Sequence, residues 1–193
     1  MASFFHGDRP VIAFEYVLPE EAEGAASGTL DVAGQSLRAV ITGDEFYGAW
    51  KDLTLPEVGS YPVYLTVTKD EGAQRFLVDT LVVVDPEDQW LNVITARADW
   101  DGAPTEDGTL YRLLQIAREQ VEDYAYPSDL AKAQVPERLR SAQLVQARNT
   151  FNSTIFSGDQ QQVDLNGNVI YPKPLDPGVR AMIRPKTARK VFG

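Results

Sequence analysis

The residues that could carry out chemistry are few in this sequence, and their spacing is not typical of an active site. His6 is the single histidine and there is no cysteine, so a Ser-His-Asp or Cys-His relay would have to use His6. Nothing near His6 predicts a shaped pocket, and we interpret it as a solvated residue. The same counts exclude a metal site built from histidine and cysteine. We therefore expect no catalytic residue, no cofactor and no metal, in a protein that is not an enzyme.

The acidic and glycine-containing stretches do not change this expectation. Glu122 and Asp123 are adjacent, so on a helix their carboxylates point in different directions and do not converge. The pair Glu106-Asp107 is interpreted in the same way, as capping or solvated charge. No glycine-containing segment has the lysine and hydroxyl residue of a phosphate loop. The acidic and amide residues in the stretch 159–168 have the wrong spacing for a calcium loop.

This last stretch instead predicts a tight β-hairpin. Asn-Gly in a two-residue turn supplies the positive φ angles that both central positions need, and apolar residues flank it on each side. The predicted hairpin comprises Val163, Asp164, Leu165, Asn166, Gly167, Asn168 and Val169.

Two strong helix patterns occupy the second half of the chain. Apolar residues recur every three or four positions over residues 110–124, which predicts an amphipathic helix. Pro136 suits the first turn of a second helix over residues 139–156, whose wide apolar arc predicts that it is the more buried of the two. Trp100 precedes both helices and is interpreted as an aromatic anchor rather than a ligand-stacking residue. Asp176-Pro177 predicts the start of a further short helix.

The first half of the chain has strand-like patterns. Residues 58–68 alternate in polarity, a turn follows, and residues 75–84 form a second long apolar run. Five to seven short strands over residues 1–86 predict an antiparallel β-sandwich. Residues 59–67 together with 80–85 resemble the last strands of immunoglobulin-like modules. The expected fold class is therefore α+β in two domains: a sandwich over residues 1–86, and a helical bundle with a hairpin and an extended arm over residues 87–193.

Charge is distributed unevenly along the chain. The formal net charge is −10, yet residues 172–193 contain six basic residues and one acidic residue. A basic tail on an acidic body is typical of a segment that binds a phosphate backbone or an acidic protein surface. Two apolar residues at its end favour a docking peptide. The predicted docking arm comprises Arg184, Lys186, Arg189, Lys190, Val191 and Phe192. We expect no signal peptide and no membrane segment.

A series of short motifs runs through residues 87–193 in a particular order. The motifs are Trp100-Asp101-Gly102-Ala103-Pro104, Leu110-Tyr111-Arg112-Leu113-Leu114, Ala117-Arg118-Glu119-Gln120-Val121-Glu122-Asp123-Tyr124-Ala125, Val135-Pro136-Glu137-Arg138, Ala142-Gln143-Leu144-Val145-Gln146-Ala147-Arg148, Leu175-Asp176-Pro177 and Ile183-Arg184-Pro185-Lys186. Their order and spacing resemble those of the head-to-tail connector (adaptor) proteins of long-tailed phages, especially phages that infect actinobacteria. The immunoglobulin-like part is not in the family's minimal pattern and resembles an appended decoration.

The resemblance implies a homo-oligomeric ring, typically of twelve copies, at the head-tail neck of a virion assembled in the host cytoplasm. The arm over residues 184–193 would reach the portal protein, and the predicted hairpin would face the stopper or tail-completion protein. DNA would pass through the channel without sequence-specific binding, because an acidic lumen repels it. The residues expected to contact neighbouring subunits are Arg118, Glu122, Arg138 and Arg148.

A second hypothesis assigns the binding function to the first half of the chain. In this alternative, residues 1–86 are an immunoglobulin-like surface module that binds glycan or protein, and the helices form only a stalk. The basic arm and the expected lack of a signal peptide favour the first hypothesis.

Overall fold

The computed structural model describes residues 2–25, 27–69, 72–156 and 174–185. It has a mixed α/β fold in which a curled seven-stranded sheet precedes the helices. Contacts divide the chain into two compact units. One, the β unit, comprises Met1–Pro86 with Glu106–Gly108, and the other, the helical unit, comprises Glu87–Thr105 with Thr109–Gly193. Each unit is described separately below.

The β unit is a single hydrogen-bonded sheet. Its strands are β1 (Ala2–Phe5), β2 (Ala13–Val17), β3 (Ser27–Val32), β4 (Gln35–Thr42), β5 (Glu45–Ala49), β6 (Gly59–Lys69) and β7 (Gly72–Val84). Their spatial order is β1-β7-β6-β3-β4-β5-β2. All neighbouring pairs are antiparallel except β1 and β7, which are parallel. The expectation of an entirely antiparallel arrangement is wrong at this one pair, because no local turn signal reports a pairing between strands so distant in sequence.

The sheet curls around an aromatic core. Phe4 on β1 and Phe14 on β2 belong to the two end strands of the sheet, yet their ring centroids lie 6.1 Å and 5.4 Å from that of Trp50. One indole therefore contacts both ends of the sheet. Alternate residues of the central strands, such as Val63 and Leu65, are fully buried in the same core, as the period of a strand requires.

Two backbone features of the sheet involve glycine, one in a turn and one inside a strand. Ala33 and Gly34 have φ angles of 48° and 78°, so the β3–β4 hairpin has the two left-handed central residues typical of a tight turn. At Gly48 on β5, an added Cβ would lie 2.3 Å from the Phe14 ring and 2.6 Å from the carbonyl oxygen of Arg38. A side chain at Gly48 would therefore exclude Phe14 from its place in the core.

The helical unit has five helices in the described residues. They are α1 (Val93–Asp99), α2 (Asp107–Tyr124), α3 (Pro127–Leu130), α4 (Glu137–Phe156) and α5 (Pro177–Ile183). The helices predicted over residues 110–124 and 139–156 are confirmed as α2 and α4. The predicted start of α5 is confirmed too: the Asp176 carboxylate accepts a hydrogen bond from the Gly178 amide at 2.7 Å, and Pro177 occupies the first turn.

An apolar cluster joins the segment before α1 to α2, α4 and α5. It comprises Trp90, Val121, Ala125, Leu139, Ala142, Val179 and Ile183, all of them buried. The buried side of α4 is nevertheless not the wide apolar arc that the sequence predicted. Gln143, Gln146 and Thr150 are also fully buried or nearly so. The core of the helical unit therefore contains a row of polar side chains along α4.

Candidate functional site

Arg118 and Glu122, predicted to contact a neighbouring subunit, form an ion-pair network within the helical unit. Arg118 Nε lies 2.8 Å from Glu122 Oε1, one helical turn further along α2, and Arg118 Nη1 lies 2.9 Å from Asp88 Oδ2. The guanidinium carbon is 5.3 Å from the centroid of the Trp90 ring. These contacts hold the segment before α1 against α2. A role of Arg118 and Glu122 between subunits stays a prediction.

Arg138 links three elements of the helical unit. Its Nη2 donates to the Asp129 carboxylate on α3, and its Nε donates to the Ile183 carbonyl at the end of α5, 3.3 Å away. Lys132 Nζ donates to the other Asp129 oxygen at 2.7 Å. The hydrogen bonds from Lys132 and Arg138 hold the pKa of Asp129 below its usual range. Arg138 thus stabilises the position of α5, and its predicted role between subunits is likewise untested.

Arg148 on α4 binds the end of α1. Its Nη2 donates to the carbonyl oxygen of Asp99, the last residue of α1, and its guanidinium carbon is 5.7 Å from the centroid of Trp100. The Trp100 ring meets the Phe151 ring edge to face at 5.8 Å and is 6% exposed. The interpretation of Trp100 as an aromatic anchor is confirmed, and Arg148 contributes to the same contact.

Arg184, predicted as the first residue of the docking arm, packs against the helical unit. Its guanidinium carbon lies 4.6 Å and 4.5 Å from the ring centroids of Tyr124 and Tyr126, and its Nη2 donates to the Ala125 carbonyl at 3.1 Å. Two rings and a carbonyl at the end of α2 therefore provide a binding place for this cation, and the docking role of Arg184 stays a prediction. The other predicted positions lie outside the described residues. They are Lys186, Arg189, Lys190, Val191 and Phe192 of the arm, and Val163 to Val169 of the hairpin.

Gln143 is a structural residue that sequence reasoning missed. Its Oε1 accepts from the Leu91 amide at 3.0 Å, and its Nε2 donates to the carbonyls of Leu91 and Leu114 at 3.2 Å and 3.1 Å. The side chain is fully buried, both of its N–H donors are used, and its oxygen accepts one hydrogen bond. One available signal was its spacing, since Gln143 follows Leu139 by four residues and so lies on the apolar face of α4.

The β unit contains a polar pair within its curled sheet. Tyr16 Oη donates to Asp79 Oδ2 at 2.5 Å, and the other Asp79 oxygen accepts from the Thr80 amide at 2.7 Å. Asp79 lies next to an irregularity in the β6–β7 register, between Val63 and Tyr64 of β6. Burial and the Asp79 carboxylate raise the pKa of the Tyr16 hydroxyl well above its ordinary value. The hydroxyl therefore stays protonated, and the pair is suited to holding β2 near β7 rather than to nucleophilic chemistry.

An open depression lies on the outer face of the sheet, at strands β3, β6 and β7. Its volume is about 510 Å³ and its lining includes Asp31, Tyr61, Tyr64, Thr66 and Arg75. The Asp31 carboxylate accepts hydrogen bonds from the hydroxyls of Ser36 and Thr66, each at 2.5 Å. The guanidinium carbon of Arg75 lies 3.9 Å from the centroid of the Tyr64 ring.

The remaining candidates from the sequence do not assemble into a reactive centre in the described part of the chain. His6 is 45% exposed and its Nε2 lies 3.8 Å from Glu57 Oε2. The sequence predicted no pocket near it, whereas the structure places His6 in the lining of an open depression of about 540 Å³, together with Asp8, Arg9 and Lys51. No group of three or more histidine, aspartate or glutamate side chains is placed to bind a metal ion in residues that the structure describes. None of the helices in the described residues combines the length and apolar character that a membrane span requires.

The structure assigns the chain to the mixed α/β class of folds. No protein-family model matches the sequence, and a search of curated proteins gives no match. Functional conclusions therefore depend on the residues and contacts described above.

Proposed function

We propose that this chain is a structural virion protein, a head-to-tail adaptor that forms a ring under the portal of a long-tailed phage. The ring would join the capsid to the tail and line the channel through which DNA leaves. The order of motifs along residues 87–193 supports this proposal. The motifs from Trp100 to Pro177 lie on α2, α4 and α5 or on the segments that precede them, Ile183 ends α5, and the helices share one apolar cluster.

The observation that carries the proposal is the fixed starting point of the basic arm. Arg138 holds the last carbonyl of α5, and Arg184 is bound between Tyr124 and Tyr126. The residues that follow, with three more basic side chains and Val191-Phe192, therefore begin from a defined place on the helical unit. An arm of this composition can bind an acidic portal surface through charge-assisted contacts and apolar burial, which together offset the entropy lost on ordering.

We further propose that residues 1–86 form an immunoglobulin-like domain appended to a separate helical domain of residues 87–193. The strand order supports this: β3, β6 and β7 are neighbours, as strands C, F and G are in an immunoglobulin fold, and β2 pairs with β5 as B pairs with E. A second feature is Tyr61, near the start of β6. Its hydroxyl donates to the Glu57 carbonyl four residues upstream, at 2.8 Å, which corresponds to the tyrosine corner of strand F in such domains.

Cryo-electron microscopy of phage particles that contain this chain is the direct test. The expected result is a ring of helical units between portal and tail, with the last residues of each copy against the portal. Without portal protein, the purified chain should be monomeric or weakly associated in light scattering. Particles whose neck lacks the chain would refute the proposal, and so would substrate turnover by the purified protein alone.

A further inference from the structure

The outer-face depression of the β unit contains an acid and a base that do not pair with each other. Asp31 and Arg75 both line it, yet neither forms an ion pair in the part of the chain that the structure describes. Asp31 lies on β3 opposite Tyr64 of β6, and Arg75 lies on β7 opposite Thr66 of β6. Two strand spacings and a register offset of two residues separate their backbones by roughly 12 Å. With respect to the described residues, both charges are therefore available to a ligand.

Each of these side chains is held in place by other residues. The Asp31 carboxylate is oriented by the hydroxyls of Ser36 and Thr66, one on each of its oxygens, and each oxygen retains a lone pair for a further donor. Arg75 stacks on Tyr64 at 3.9 Å, which orients the guanidinium while leaving its N–H groups without protein acceptors among the described residues. The arrangement is preorganised, so a ligand need not order it.

We propose that this depression binds a neutral saccharide, independently of the ring function proposed above. Sugar hydroxyls can donate to Asp31 and accept from Arg75 at the same time. The two protein charges balance each other, so a ligand without net charge is favoured. The apolar ring face of a sugar can pack on Pro62 and on the part of the Tyr64 ring that Arg75 does not cover, both of which line the depression. A volume of about 510 Å³ that opens to solvent suits an extended chain of sugar units better than a small enclosed metabolite.

The test is a titration of the isotope-labelled full chain with maltohexaose, cellohexaose, xylohexaose and chitohexaose, followed by two-dimensional NMR. At least one of these saccharides should shift the amide resonances of Asp31, Tyr64 and Thr66. Arg75→Ala and Asp31→Ala should each weaken that binding by about tenfold, the effect of losing a charge-assisted hydrogen bond. Arg38→Ala is the matched control, because Arg38 is exposed on neighbouring β4 and does not line the depression.

Several outcomes would overturn the proposal. One is that none of the four saccharides shifts these resonances at millimolar concentration. Another is that a saccharide binds Arg75→Ala or Asp31→Ala as tightly as wild type, with dispersed spectra showing that the variant is folded. A third is that glycine, a compact zwitterion, produces the shifts and the saccharides do not. None of these results bears on ring assembly, which depends on the helical unit.

Discussion

Replacing Gln143 by methionine would test whether the helical unit depends on a buried amide. Methionine is unbranched and similar in length, so the change removes the polar atoms with little change in volume. The substitution leaves the amide and the carbonyl of Leu91 without their side-chain partner. The Leu114 carbonyl is less affected, because it lies within α2 and retains its helical hydrogen bond.

The expected magnitude follows from these contacts. Three hydrogen bonds are lost at a net value of about 0.5–1.5 kcal/mol each, and two backbone groups stay buried without a partner. We therefore expect Gln143→Met to lower the free energy of unfolding by about 2–4 kcal/mol. With a denaturant slope of about 2 kcal/mol per molar urea, the midpoint should fall by about 1–2 M.

Urea unfolding of the full chain, followed by circular dichroism at a helix wavelength, measures this effect. Hydrogen exchange at the Leu91 amide gives a local measurement that a general loss of stability would not reproduce at low denaturant. Gln115→Met on α2 is the control. Gln115 is partly exposed and makes no described polar contact, so its midpoint should change little. The reasoning fails if Gln143→Met unfolds at the wild-type urea concentration with unchanged protection of Leu91.

Three further outcomes are expected. Because the pKa of Asp129 is lowered in the folded protein, its contribution is complete above the unfolded value of about 4 and is lost as pH falls through the folded value. The urea midpoint of Asp129→Asn should therefore lie below that of wild type at pH 7 and converge with it in acid; a pH-independent difference contradicts this. Tyr61→Phe should cost about 0.5–1.5 kcal/mol in urea unfolding, whereas Tyr47→Phe, an exposed control, should be neutral. Deleting residues 187–193, or replacing Phe192 by alanine, should reduce binding to portal-containing heads in co-sedimentation; undiminished binding refutes the docking role.

Local signals allowed much of the fold to be predicted. The pair of long strands β6 and β7 follows from the alternating polarity of residues 58–68 and the run over residues 75–84, and α2 follows from its helical spacing of apolar residues. The start of α5 follows from Asp176-Pro177, because capping is a property of a few adjacent residues. These features depend on interactions within about one helical turn or one hairpin, so they can be predicted from the local sequence.

Pairings over long distances in sequence were not predictable in this way. The parallel contact of β1 with β7 joins residues about eighty positions apart, and no turn residue marks it. The buried amides of α4 were missed for a related reason. A glutamine on an apolar face is ordinarily expected to reach solvent, and its burial depends on whether backbone groups elsewhere need a partner. The backbone groups that need Gln143 as a partner are those of Leu91, fifty-two residues earlier.

The arginines of the helical unit make contacts within the unit that the sequence analysis did not predict. Three of them donate to a carbonyl at or just beyond the end of another helix: Arg148 to Asp99 of α1, Arg184 to Ala125 after α2, and Arg138 to Ile183 of α5. The last carbonyls of a helix have no partner within it and carry partial negative charge, so a guanidinium from another element satisfies them and offsets the helix dipole. Sequence spacing cannot distinguish such an arginine from one that binds a neighbouring subunit. In the proposed ring, contacts between subunits would have to form around these internal pairs, since breaking them would expose three helix ends.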